Sequence, residues 1–387
     1  MGGSGRTWSL EPTRRLLDDL GNPHEQFPAI HVGGTNGKGS VATMVYQALR
    51  ETGLRVGLYT SPHLVDVRER MVVDGRPISE EAFAAWTTRL RPTIEASHAS
   101  FFEATTAIAL ADFAARGTDV AVVEVGLGGR LDSTNVLTPV VAGVVNVGLD
   151  HTEYLGSTLG EIAVEKAGIA KPDIPFIIGE TRAEFADVLR REAEDVGARI
   201  VGIPPTAVYD GPLRLEGAHQ RRNAAVAKGF VEELPAHLRP DHGALTAGFA
   251  KAWLPGRLER RGRWILDVAH NQEGMKALAD ALRQRPPSTP LHAVLGILKD
   301  KDALGMVREL SDLAERIWLT SPPSAPDTRR PDPVTAFGVT DSEVRVQWDF
   351  DRCLEEAQDG AKTVLVSGSF YTVGDAMSRL PGFRPFG

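Results

Sequence analysis

The chain has a single cysteine, Cys353, so no intrachain disulfide can staple it, and a reducing, cytoplasmic setting is expected. Long apolar runs are missing as well. The stretch Val140 to Val147 is interrupted by Asn146, and nothing approaches the roughly 20 apolar residues of a membrane-spanning helix. An excess of positive charge is absent. The formal charge is −8, which argues against a general nucleic-acid binder; loop amides, a few lysines and a divalent cation can still hold nucleotide phosphates locally. There is no internal repeat and no low-complexity tract. Met1 to Arg6 has no apolar core, so it reads as a flexible lead-in and no secretory signal. What remains is ordinary globular material: 387 residues, 42% hydrophobic and 24% charged, enough for two domains with a core in each.

One stretch organises the rest, Phe27 to Val45. Ala29-Ile30-His31-Val32 predicts a buried strand. Gly33 to Ser40 (GGTNGKGS) predicts a turn, and Val41 to Leu49 a helix. A strand, a glycine-rich turn and a helix start form a phosphate site. Glycines permit positive φ and keep Cβ atoms off a ligand, and the first helical N–H groups and the helix dipole face an anion. Lys38 adds a point charge and Ser40 a hydroxyl. The strict Walker A spacing is not met, since Val32 and Gly39 stand where Gly and Ser or Thr would be needed. An ordinary glycine-rich βα turn has the same ingredients.

Further along, strand-like and helix-like segments alternate, which predicts an α/β fold with a doubly wound, mostly parallel sheet. Arg55 to Tyr59 predicts a strand that ends at Ser61 and Pro62, on the edge where such sheets bind ligands; Ser before Pro is also a common turn. Val65 to Arg76 reads as a solvated connection. Ser79 is expected to cap a helix running towards Ala96. Phe101-Phe102-Glu103 opens another helix; paired Phe residues are usually core, while the adjacent carboxylate suits a flat aromatic ligand. Val120 to Val125 predicts a buried strand broken by Glu124, and a carboxylate there needs a partner or a cation such as Mg²⁺. The glycine-rich, polar loop Gly126 to Asn135 follows. Pro139 to Val147 predicts a strand that delivers His151, which alone reads more readily as a surface histidine than as a ligand. Leu159 to Ala170 is an expected helix with Lys166 near its end, where a lysine favours the dipole. Asn223 lies just ahead of an alanine-rich helix. A boundary at Pro255-Gly256 divides the chain into 1–254 and 255–387, and the second part restarts the rhythm with strands at Trp264 to Asp267, Leu291 to Gly296, Arg316 to Thr320 and Thr363 to Val366. Ser321 to Pro333 is an expected surface loop.

In order along both parts stand HVGGTNGKGS (31–40), TSPHL (60–64), FFE (101–103), EVGLGGRLDSTN (124–135), GLDHTEYLG (148–156), EKAGI (165–169), HQRRNAA (219–225), PGRLE (255–259), DVAHN (267–271) and DKD (300–302). This set resembles the folylpolyglutamate synthase and dihydrofolate synthase branch of the Mur-ligase superfamily, with Gly39 directly after Lys38 pointing to that branch. The resemblance implies a P-loop-type domain followed by a smaller Rossmann-like one. It also implies ATP-dependent ligation of L-glutamate to folates, and to dihydropteroate, through an acyl phosphate. ATP would contact Gly37, Lys38, Gly39, Ser40, Asn223, Arg257 and Asp267. Ser61, Glu124 and His151 would bind Mg²⁺, and a carbamylated Lys166 a second Mg²⁺. Lys38, Lys166 and His270 would be catalytic, while Phe101, Phe102, Glu103, Leu131, Asp132 and Ser133 would line the pterin site. A monomer is expected, with no nucleic-acid or membrane partner. Val268 and Gln272 depart from the family pattern, which usually has Gly and Pro there. Another Mur-type ligase, or a non-catalytic nucleotide-binding switch, is the alternative.

Overall fold

A computed structural model of the chain describes residues 8–330 and 343–380. The expected lead-in at 1–6 and the last residues of the expected 321–333 loop lie outside them. Two compact units result. The first comprises residues up to 62, 67–214 and 220–253; the second comprises 63–66, 215–219 and 254 onward.

In the first unit eight strands form one sheet: β1 (Ala29–Gly33), β2 (Val56–Tyr59), β3 (Met71–Val73), β4 (Arg76–Pro77), β5 (Val120–Glu124), β6 (Val141–Val144), β7 (Pro175–Ile178) and β8 (Arg199–Gly202). Their order is β4-β3-β2-β5-β1-β6-β7-β8. Pairing is parallel from β2 to β8 and antiparallel along β2-β3-β4. The central strands are buried on both faces, as a sheet covered by helices requires. Alternation puts Ala29, Ala121, Val123 and Ala142 on one face and Ile30, Val32, Val122 and Val141 on the other, and all are buried. Helices fill the crossovers except that from β5 to β6, which holds only the 3-10 turn Ser133–Val136. The helix Lys38–Arg50 leaves β1 and packs against the helix His242–Lys251.

A second sheet of six strands belongs to the second unit: β9 (Glu259–Arg261), β10 (Trp264–Leu266), β11 (Leu291–Leu295), β12 (Arg316–Leu319), β13 (Glu343–Val346) and β14 (Thr363–Ser367). The order is β13-β12-β11-β14-β10-β9, parallel except for the β9–β10 hairpin. Residues alternate between two cores here too: Leu291, Ala293 and Leu365 join Met275 and Leu310, whereas Val294, Val364 and Val366 join Phe350 and Val373. No helix among the described residues is long and apolar enough to cross a membrane.

Several expected elements are corrected. Val65 to Arg76 is more than a connection: Met71 and Val73 are buried in β3, which pairs with β2 and β4. Strands this short, set among arginines and acids, carry no readable alternation. β9 and β13 escaped for the same reason. Asn223 lies within a helix, Ala218–Glu232, rather than ahead of it, because glutamine and arginine are good helix formers and extend the alanine-rich run backwards.

Gly248 sets how closely the two packed helices approach. A Cβ there would lie 2.4 Å from the Ala48 Cα and 2.5 Å from its nitrogen, so Gly248→Ala must push the helix behind the phosphate loop. We expect a loss of about 1–3 kcal/mol in urea unfolding; an unchanged midpoint would refute this close packing.

Candidate active site

In the first sheet β2, β5, β1 and β6 are consecutive parallel neighbours, so their carboxyl ends line one edge. That edge receives Ser61, Glu124, the loop 33–40 and His151 respectively.

The loop leaves β1 at Gly33 and turns into its helix at Gly37, whose φ is +80°. A Cβ on Gly37 would lie 2.7 Å from Asn223 Oδ1, so both conformation and space require glycine there. Asn223, held by Gln220 Oε1 at 3.1 Å, therefore lies against the loop. No side chain caps the helix Lys38–Arg50. Its first N–H groups are thus left for an anion. Lys38 Nζ donates to the Thr35 carbonyl at 3.0 Å. The Ser40 hydroxyl is buried without a hydrogen-bond partner among the described residues, a costly state that a phosphate or cation would relieve.

Glu124 is 4% exposed, and its Oε2 accepts from the Ser61 backbone N–H at 3.0 Å. The structure thus joins these two residues, through the Ser61 amide. His151 has φ +51° at the start of a short helix, and its Nε2 lies 3.9 Å from Asp150 Oδ1. No cluster of three or more His, Cys, Asp or Glu side chains is arranged to hold a metal among the described residues. Glu124 is the carboxylate of the expected Mg²⁺ set, and Mg²⁺ completes its shell with waters and substrate phosphates.

Lys166 is buried at the end of the helix Leu159–Ala167, and Nζ donates to the Gly34 carbonyl at 3.0 Å. Burial, and then the charge of Lys38, lower its pKa from 10.5 to about 7; Asp150 and Asp132 oppose the shift. A fair fraction of this amine is neutral near pH 7 and therefore nucleophilic.

The pterin-site expectations divide. Phe101 is 58% exposed, with the Arg70 guanidinium 5.4 Å from its ring. Phe102 instead packs beneath Gly126, where a Cβ would lie 2.2 Å from its ring. The Glu103 carboxylate closes a capping box with Ser100. Leu131 is half-buried, and Ser133 is buried at the start of a 3-10 turn. Asp132 Oδ2 accepts from Leu127 N–H at 2.8 Å and Oδ1 from Thr134 N–H at 3.0 Å, and the Thr134 hydroxyl and Gly126 N–H also donate to it. These four donors fill the carboxylate's acceptor capacity, so in this conformation Asp132 shapes the loop. Because Thr134 donates to Asp132, its oxygen accepts from His31 Nε2 at 2.7 Å. His31 is therefore the Nε2–H tautomer with a bare Nδ1, and burial pushes its pKa down to about 3.

In the second unit, Asp267 accepts from Leu258 N–H at 2.8 Å and Ala269 N–H at 2.9 Å. Burial raises its pKa against the pull of Arg257. His219 is half-buried beside Asp267 and Arg257, and desolvation lowers its pKa. His270 Nδ1 is 2.9 Å from the Val268 carbonyl. The Phe370 ring lies 5.3 Å from the His270 ring and 5.4 Å from the Arg257 guanidinium. Sequence reasoning did not single out His219, Phe370, Thr134, Asp150 or Asn146, whose placement depends on tertiary packing. For Asn146, the polar break in an apolar strand was the available signal.

Comparison with known proteins follows this geometry. Residues 32–203 match the Mur ligase middle domain, and residues 256–370 the Mur ligase glutamate ligase domain. A dihydrofolate synthase/folylpolyglutamate synthase of Bacillus subtilis is 34% identical, over 95% of this chain and 94% of the relative. A probable bifunctional folylpolyglutamate synthase/dihydropteroate synthase of Haloferax volcanii is 37% identical, but the chain spans only 48% of its length. The structure of E. coli FolC in complex with DHPP and ADP superposes with a TM-score of 0.88 at 30% identity, covering 98% of this chain and 94% of that one. A bifunctional folylpolyglutamate synthase/dihydrofolate synthase with Mn, AMPPNP and L-glutamate bound gives 0.84 at 28%, covering 97% and 94%.

The buried Lys166 makes stability depend on pH. Between about pH 7 and its ordinary value of 10.5, the unfolded chain binds a proton that the folded chain does not, so this residue's destabilisation is full below pH 7 and is relieved as pH rises through that window. In CO₂-free buffer the stability of the wild type relative to Lys166→Met should therefore rise across it. Parallel curves would refute the perturbed lysine.

Proposed function

Because the chain belongs to the folylpolyglutamate synthase and dihydrofolate synthase family of Mur ligases, we propose that it is an ATP-dependent ligase joining L-glutamate to a folate carboxylate and to dihydropteroate. The observation that carries this reading is the uncapped helix start holding Lys38 and the unpartnered Ser40, on the same sheet edge as Glu124 and Lys166.

A carboxylate does not react with an amine, because oxide is a very poor leaving group. Transfer of the γ-phosphoryl group of ATP to a carboxylate oxygen releases ADP and gives an acyl phosphate. The glutamate amine then attacks the acyl carbon, phosphate leaves, and the amide forms with loss of a proton. The amides from Gly37 to Ser40 bind the phosphate oxygens, and Lys38 offsets charge on the transferring group. Ser61, Glu124 and His151 would hold Mg²⁺, which would supply further positive charge to the phosphates. The neutral Lys166 amine would add to the carbon of CO₂ and lose a proton, and the resulting carbamate would hold a second Mg²⁺. Asp150 and Asp132 near this lysine make a dication the natural counter-charge. Asn223, Arg257 and Asp267 keep the ATP-contacting roles, and His270 the catalytic role, that the family resemblance implies. The exposed Phe101 face and Leu131 receive the pterin, with Phe102, Glu103, Asp132 and Ser133 shaping that site. A monomer in a reducing cytoplasm completes the reading, with Cys353 buried.

The test is ATP- and Mg²⁺-dependent incorporation of labelled L-glutamate, with dihydropteroate and with a reduced folate as acceptors. Incorporation with both is expected, and Lys38→Ala should lose roughly 100-fold or more in kcat. ATP turnover without ligation, or ligation only to a UDP-muramoyl acceptor, would overturn the assignment. Lys166 carbamylation should appear in mass spectra as an acid-labile carboxyl increment on that residue.

A further inference from the structure

The segment between β6 and His151 is stitched to the phosphate loop, and the stitching centres on Asn146. Its Oδ1 accepts from the Asn36 N–H at 2.9 Å and from the Thr35 N–H at 3.2 Å. The Thr35 N–H is shared with the Asn146 carbonyl at 3.1 Å. Two residues beyond Asn146, Gly148 pairs with the Thr35 hydroxyl, which donates to its carbonyl at 3.2 Å and accepts from its N–H at 2.8 Å. Gly34 lies close enough that a Cβ would meet Val145 N at 3.3 Å and Asn146 N at 3.4 Å.

The Thr35 and Asn36 amides belong to the glycine-rich turn, where outward-facing N–H groups would ordinarily be offered to an anion. Here one carboxamide oxygen takes both. That divides the loop: Thr35 and Asn36 point back to β6, while Gly37 and the uncapped turn after it face outward. We propose that Asn146 is a positioning residue for nucleotide binding. It fixes which loop amides meet the phosphates, and it ties that geometry to the segment 148–151 that carries His151. The inference rests on the nucleotide reading of the loop.

The chemistry also explains a neutral amide at this place. Aspartate would accept the same two hydrogen bonds but would set a negative charge behind a polyanion site. Alanine would leave the Asn36 N–H without this acceptor, while the Thr35 N–H keeps the Asn146 carbonyl. The strand itself stays anchored by Val145 N–H to Gly33 O at 2.8 Å and Val147 N–H to Glu180 Oε2 at 2.7 Å, so both variants should fold.

Calorimetric titration of the full chain with Mg²⁺ and a non-hydrolysable ATP analogue tests this. Affinity should fall about tenfold or more in Asn146→Ala. It should fall also in Asn146→Asp, with the aspartate deficit shrinking as salt rises, while KM for the folate acceptor is unchanged. A residue that only stabilised the fold would leave Asn146→Asp like the wild type, since the acceptor oxygens remain; that result overturns the proposal. So does wild-type affinity in both variants. Should Asn146→Ala not fold, Asn146→Asp alone decides. Wild-type protein that does not bind the analogue would overturn the nucleotide reading and this inference with it, an outcome distinct from failure of the variants alone.

Discussion

Backbone amides that must face outward at the edge of a buried parallel sheet set the terms for this molecule. An N–H group turned away from its own ladder needs a partner, and the glycine-rich turn after β1 exposes several in succession. The fold answers in two ways. Some of these groups are taken up by Asn146, while the Lys166 and Lys38 side chains take the Gly34 and Thr35 carbonyls. The others open the uncapped helix Lys38–Arg50 and are left to an anion. The close approach of Gly37 to Asn223 and of Gly248 to Ala48 then holds that helix start in place.

Charge is the second constraint. Glu124, Asp132, Asp150 and Lys166 are all buried near this edge, where desolvation penalises each ionised form. The pairing is uneven. Asp132 is filled by four donors, and its link through Thr134 to His31 fixes a tautomer deep in β1. Lys166 has a carbonyl partner and a pKa near neutrality. Part of such an amine is neutral near pH 7, and a nearby dication would relieve the surrounding carboxylates. The same edge can therefore bind phosphate and hold the positive charge that phosphoryl transfer needs.

The glycine turn and the buried strand around Glu124 were legible because each breaks a strong local pattern, whereas Ser61 and His151 alone look like a turn serine and a surface histidine and only the strands ahead of them could be read. A carboxylate in a run of valines, or glycines between a strand and a helix, stands out without any tertiary information. Ser79 was legible as a helix cap for the same reason. Short strands such as β3 and β4 were not, since two or three residues cannot show alternation. Nor was the division of labour in FFE and LDS. Whether Glu103 faces a ligand or caps its own helix, and whether Asp132 points out or into its loop, depends on backbone turns that no spacing encodes. His219 and Asn146 depend on partners far away in sequence; a lone His has no pattern to break, and the polar break at Asn146 marks the residue without naming its partners.

The central claim is that the phosphate loop activates a carboxylate as an acyl phosphate. Its most direct test is the fate of oxygen-18 placed in the acceptor carboxylate during ATP- and glutamate-dependent turnover. The account predicts that one labelled oxygen per amide formed appears in inorganic phosphate. Amide formation with unlabelled phosphate would contradict it.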